Sequence, residues 1–139
     1  MPQSEKARQV LPPPPKLWKL SSDPKERVPL MVFGWPISVD NRREWANRFQ
    51  IPTEVPQYNR LDNAWKHMGS LLPDKAKRAK LVRYNGGKGT VAMCIIIGSN
   101  KDERDLKRAR NRTVISETSD VLQVDVEPQW LMVADQPDN

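Results

Sequence analysis

One run constrains this chain more than any other. Val91-Ala92-Met93-Cys94-Ile95-Ile96-Ile97 is apolar at odd and even positions alike. A strand sends alternate residues to opposite faces, so this run needs cover on both sides. It is far shorter than the roughly 20 residues that span a bilayer, and no other apolar run comes closer. The chain therefore calls for a central strand with packing above and below it. Its 139 residues suffice for one such domain. A domain of that size buries roughly two-thirds of its unfolded surface. It must do so without an internal disulfide, because Cys94 is the only cysteine.

Other segments supply partners for that strand. Leu30-Met31-Val32-Phe33-Gly34-Trp35 is a short apolar run closed by Pro36, and Leu81-Val82-Arg83-Tyr84 leads into Asn85-Gly86. Asn-Gly favours a type I′ hairpin turn, since both central residues need positive φ. Val121 to Val126 alternates, with Leu122, Val124 and Val126 facing inward, and Trp130 to Val133 resumes an apolar strand beyond Pro128. Between them lie helical patterns. Asn41 and Glu44 have capping-box spacing, with Trp45, Ala46 and Phe49 as the inner stripe before Pro52. Leu61, Ala64, Trp65, Met68 and Leu72 mark one buried helical face from about Arg60 to Leu72, and Pro73 can open a further turn. Lys101 to Arg112 is charge-rich and helix-prone, with Leu106 and Ala109 facing inward. These signals predict an α+β domain: a mostly antiparallel sheet of about four to five strands, with three helices packed on it. A parallel pair is open where the charged helix joins two strands.

The ends read differently. Pro12 to Pro15 is a four-proline run, extended because each ring fixes φ and removes a donor. Residues 1–29 are expected to form a flexible proline-rich arm whose Trp18 docks on the domain, residues 30–134 the single α+β domain, and residues 135–139 a disordered tail. Leu11, Pro12, Pro15 and Trp18 are the arm's candidates for binding a partner. Preformed polyproline segments dock into aromatic grooves at low entropic cost, and tryptophan is a common anchor. An unstructured linker is the preferred reading of the same prolines on composition.

Charge is unevenly spread. There are 23 Lys and Arg against 17 Asp and Glu, yet from Thr113 onward six acids stand without one basic residue. The first 112 positions thus carry a balance of +12. Two groups stand out: Lys75, Lys77, Arg78, Lys80, Arg83 and Lys88, and then Arg104, Arg108 and Arg112, which repeat every four residues and would share one helical face. These nine residues are the candidate contacts for a polyanion, DNA or RNA being the commonest. The competing reading is a solvated face, neutralised by local pairs such as Glu103 with Lys107 or by the acidic final segments. No zinc-finger, KH or RNP signature accompanies the charge.

Catalytic motifs are absent from the local sequence. Gly86-Gly87-Lys88-Gly89-Thr90 resembles a phosphate loop only superficially, because Gly89 separates Lys88 from Thr90 and a strand follows where a helix is needed. His67 is the only histidine, so a multi-histidine metal site is excluded, and Cys94 sits among apolar residues that disfavour a thiolate. No cofactor or metal is expected. The leading expectation is a non-catalytic, intracellular domain, cytoplasmic or nuclear, that binds nucleic acid. The alternative is a protein-interaction or assembly module, a homodimer included, using the arm around Trp18 or an open sheet edge near Trp130 to Val133. A small enzyme with a site near His67 is the third.

Overall fold

Covering the apolar run on both sides takes a curled sheet and four helices. The computed structural model describes residues 11–52, 56–87, 89–123 and 127–137. The elements run β1 (Met31–Ile37), α1 (Val39–Arg48), α2 (Gln57–Leu71), a 3-10 turn (Asp74–Ala76), β2 (Arg78–Gly87), β3 (Gly89–Ser99), α3 (Glu103–Arg108), α4 (Arg112–Leu122) and β4 (Gln129–Met132). The four strands form one sheet in the order β2-β3-β1-β4, and every pair is antiparallel. No parallel pair arises: β3 and β4, joined by the segment holding α3 and α4, run in the same direction, but β1 lies between them. Among the described residues no helix is long and apolar enough to cross a membrane.

β3 holds the apolar run and divides it between two cores. Ile95 and Ile97 face the helices, in a cluster with Phe33, Trp35, Ile37, Trp45, Ala64, Met68, Val114 and Leu122. Cys94 and Ile96 face the other way and pack with Leu30, Val32, Val82, Leu131 and Val133. Among the described residues no helix covers this second cluster. The sheet curls until its edge strands meet: Val82 and Val133 form an antiparallel bridge, and the Ala134 amide donates to the Leu81 carbonyl at 2.9 Å. Trp18 and Tyr84 pack against the same cluster. Gly98 allows the close approach of α3, since a Cβ there would meet the Asp105 carbonyl and the Ala109 amide.

Several local expectations change. β1 continues through Pro36, which pairs with Cys94 on β3. β4 pairs with β1 only from Met31 to Gly34, so the missing proline donor faces no partner strand. The cap of α1 lies three residues earlier than the spacing of Asn41 and Glu44 suggests. Ser38 is the N-cap, its hydroxyl accepting from the Asn41 amide and its own amide donating to Asn41 Oδ1, each at 3.0 Å. Asn41 is thus the distal member of the box. The hairpin does not turn at Asn85-Gly86: pairing extends to Gly87 opposite Gly89 after a register shift beyond Arg83. The extra residues of that shift carry the turn past the Asn-Gly pair.

The largest correction concerns Val121 to Val126. Val121 and Leu122 end α4, whose buried positions Val114, Thr118 and Leu122 repeat every four residues. Gln123 then takes a left-handed conformation, φ 50°, and stops the helix. The expected inward strand positions Val124 and Val126 lie outside the described residues. The single helix expected over Lys101 to Arg112 is two helices, because the chain leaves α3 at Ala109 and restarts at Asn111, whose side chain accepts from the Val114 amide at 3.2 Å. Among the described residues four helices therefore pack on the sheet where three were expected.

Candidate functional site

The basic residues are best located from Asp105 outward. Its carboxylate is almost completely buried between β3 and α3, an unfavourable place for an unpaired charge. Ser99 Oγ donates to Asp105 Oδ2 at 2.5 Å. Arg78, at the start of β2, lies 3.3 Å from Oδ1 and also points a terminal nitrogen at the Ile97 carbonyl, 3.3 Å away. Arg108, at the end of α3, lies 3.6 Å from the same Oδ1. One residue from each basic segment thus meets on a single carboxylate. Two guanidinium groups against one acid leave a positive excess at the junction, and both remain partly exposed.

The other candidates fall around that junction unequally. Arg104 stands one turn before Arg108 on α3 and is exposed. Lys80 and Arg83 are exposed on β2, but an odd spacing puts them on opposite strand faces. Lys77 pairs with Asp74 at 3.2 Å, and Lys75 is exposed in the 3-10 turn. Among the described residues Lys75, Lys80, Arg83 and Arg104 make no ion pair. Arg112 opens α4, so the break after α3 removes it from the continuous Arg104–Arg108–Arg112 stripe. Lys88 lies outside the described residues.

The arm is held by one residue that the sequence did not single out. Asn100 is completely buried; its Nδ2 donates to the Lys16 and Pro29 carbonyls, both at 2.9 Å, and its Oδ1 accepts from the Met31 amide at 2.8 Å. Its carbonyl accepts from the Trp18 amide at 2.8 Å. Lys19 and Val28 then form an antiparallel bridge. Leu11 packs against the helix-side cluster, Pro12 is exposed and Pro15 is half-buried. At the other end, Gln136 reaches back to Leu30: its Oε1 accepts from the Leu30 amide at 2.8 Å and its Nε2 donates to the Leu30 carbonyl at 2.9 Å. Val133, next to the proposed open edge, is bonded to β2 through the bridge with Val82.

His67 has a structural neighbourhood. Its Nδ1 accepts the Trp45 indole proton at 3.0 Å, its ring lies 4.7 Å from Phe49, and Arg48 stacks over Trp45 at 4.5 Å. One imidazole nitrogen is thereby committed to joining α1 to α2. Among the described residues no cluster of three or more His, Cys, Asp or Glu is placed to hold a metal ion. Burial pushes the Cys94 thiol up to about 12, so it carries no thiolate near neutral pH.

Capping spacing could have found Asp105, since Asp102 caps α3 by accepting from the Asp105 amide at 2.8 Å. Nothing in the local sequence marks Asn100 as the arm's anchor. The molecule is thus an α+β domain with a four-stranded antiparallel sheet and a basic junction between β2 and α3. Comparison with known proteins gives no match to any family model, curated sequence or solved structure.

Proposed function

We propose that this chain is a non-catalytic binding domain that takes a polyanion, most simply a nucleic acid, along the junction of β2 and α3. The observation that carries the reading is the meeting of Arg78 and Arg108 on Asp105. It holds two guanidinium groups from distant segments in place with a net positive charge. Arg104 extends the same helical face, and Lys80 follows Arg78 at the spacing of one strand face. Phosphates would exchange condensed counterions for these cations, so affinity should fall steeply with salt.

Lys80→Glu with Arg104→Glu is the informative pair, because neither residue is ion-paired among the described residues. The parent protein should bind duplex or single-stranded oligonucleotides at low salt with a log–log slope of about −3 to −4, the value for four neutralised phosphates. The double variant should lose most of that affinity and keep its thermal midpoint. Absence of binding by the parent at 50 mM salt (roughly the low-salt regime) overturns the proposal.

A second reading, a protein-interaction surface on the arm, draws on Leu17 and Leu20, which flank Trp18 and are 40% and 39% exposed. Leu17→Ser with Leu20→Ser would then abolish self-association or partner capture without changing the salt slope.

A further inference from the structure

A cleft of about 350 Å³ opens between the arm and the chain's last described residues. Its lining includes Trp18, Leu20 and Pro29, with Lys19, Arg27 and Gln136 among the polar groups. The volume is at the small end of ligand sites, which run from roughly 300 to 1,000 Å³. A space of that size suits a small group such as a single ring. Trp18 is anchored for a stacking role, since its amide is bonded to Asn100 and its ring rests on the smaller apolar cluster.

The charges around the cleft favour an anion. Arg27 donates its Nε to the Ser21 carbonyl at 3.0 Å, and its terminal nitrogens have no protein partner among the described residues. Lys19 is only loosely neutralised by Glu26, at 3.8 Å, and both are well exposed. Gln136, by contrast, spends its amide on the chain. Both kinds of polar atom bond to backbone, Oε1 to Leu30 and Nε2 to Leu30 and Val133. A ring in the cleft would therefore be held by stacking and by flanking charge, with little reading of its edge. The cleft also lies close to the basic junction in the chain's own connectivity. The residue bonded to Trp18, Asn100, immediately precedes exposed Lys101 and the cap of α3, the helix that carries Arg104 and Arg108.

We infer that the cleft is a stacking site for one unpaired nucleobase, which makes the polyanion a single strand whose phosphates run from Arg27 and Lys19 toward α3. The inference rests on the polyanion reading and narrows it. Base–aromatic stacking with a cationic track is sequence-tolerant, so the four bases should bind about equally.

The test compares three probes of equal length at 50 mM salt (roughly the low-salt regime): an oligothymidylate strand, the same backbone without bases, and a duplex. The parent should bind the thymidylate strand about tenfold more tightly than the abasic one, the expected order for one stacked base. Trp18→Leu should erase that difference and leave abasic binding unchanged, whereas Lys80→Glu with Arg104→Glu should weaken both. A 5-iodouracil strand photo-crosslinked to the parent should form its adduct at Trp18, which keeps the test independent of whether the variant folds. Equal binding of the thymidylate and abasic strands, or an adduct elsewhere, overturns the stacking site while the polyanion reading stands. Failure of all three probes to bind overturns both.

Discussion

The two apolar clusters of this domain are built by opposite means. The larger one is a sheet face covered by helices, with Trp35, Met68, Val114 and Leu122 among its buried members. The smaller one, around Val32, Val82, Cys94 and Ile96, is covered by the sheet's own curvature and by the arm. The first announces itself in helical periodicity, because α2 must turn one apolar stripe inward. The second depends on pairing residues about fifty positions apart, Val82 with Val133, and on Asn100 holding the arm. The cleft beside the arm sits where that second mode of construction operates, whereas the basic junction lies where the start of β2 meets α3. Surfaces made by closure gather residues from distant segments, which a continuous helical stripe does not do.

This contrast can be broken or sharpened by substitution. Trp35→Ala should have the largest effect, about 3–5 kcal/mol in a urea titration, as for other buried aromatic truncations. A loss below about 1 kcal/mol would mean that the helix-covered face is not the principal core. Val82→Ala removes two buried methyl groups at the closure and should cost about 1.5 kcal/mol. It should shift one common transition. A separate early transition for this variant would show instead that the curled cluster opens on its own.

The smallest effect near neutral pH belongs to Cys94. Its folded thiol is pushed up to about 12 by burial, well above the ordinary thiol range. The fold therefore favours the protonated thiol, a contribution present in full below pH 9 and lost as pH rises toward about 12. At pH 8, roughly the ordinary thiol range, a disulfide reagent should label it only as fast as the protein opens. Rapid labelling of the folded protein would show that the curled cluster is accessible.

Much of the architecture was legible before any coordinates. The two-sided run Val91–Ile97, the inner stripe of α2 and the final strand near Trp130 all follow from apolar spacing. The misreadings share a cause. Leu122 opens an alternation with Val124 and Val126 that looks like strand, but it is also in the last turn of a helix whose inner face is Val114, Thr118 and Leu122. A short apolar segment fits both periods, and tertiary contact chooses between them. Asn85-Gly86 likewise has the composition of a turn, yet the register shift beyond Arg83 moved the turn onward.

The candidate site was legible as composition and illegible as geometry. Basic residues in two segments can be counted along a chain. That Arg78 and Arg108 share Asp105, that Lys80 and Arg83 diverge, and that Arg112 starts a new helix depends on distances between segments. The same holds for Asn100, an unremarkable asparagine until five backbone groups converge on it. Sequence by itself determined that a strand must be enclosed on both faces, because desolvation acts on every apolar residue wherever it lies. Tertiary structure alone decided what encloses it and which charges meet, because Coulomb and hydrogen-bond energies depend on separations of a few ångströms that chain order does not specify.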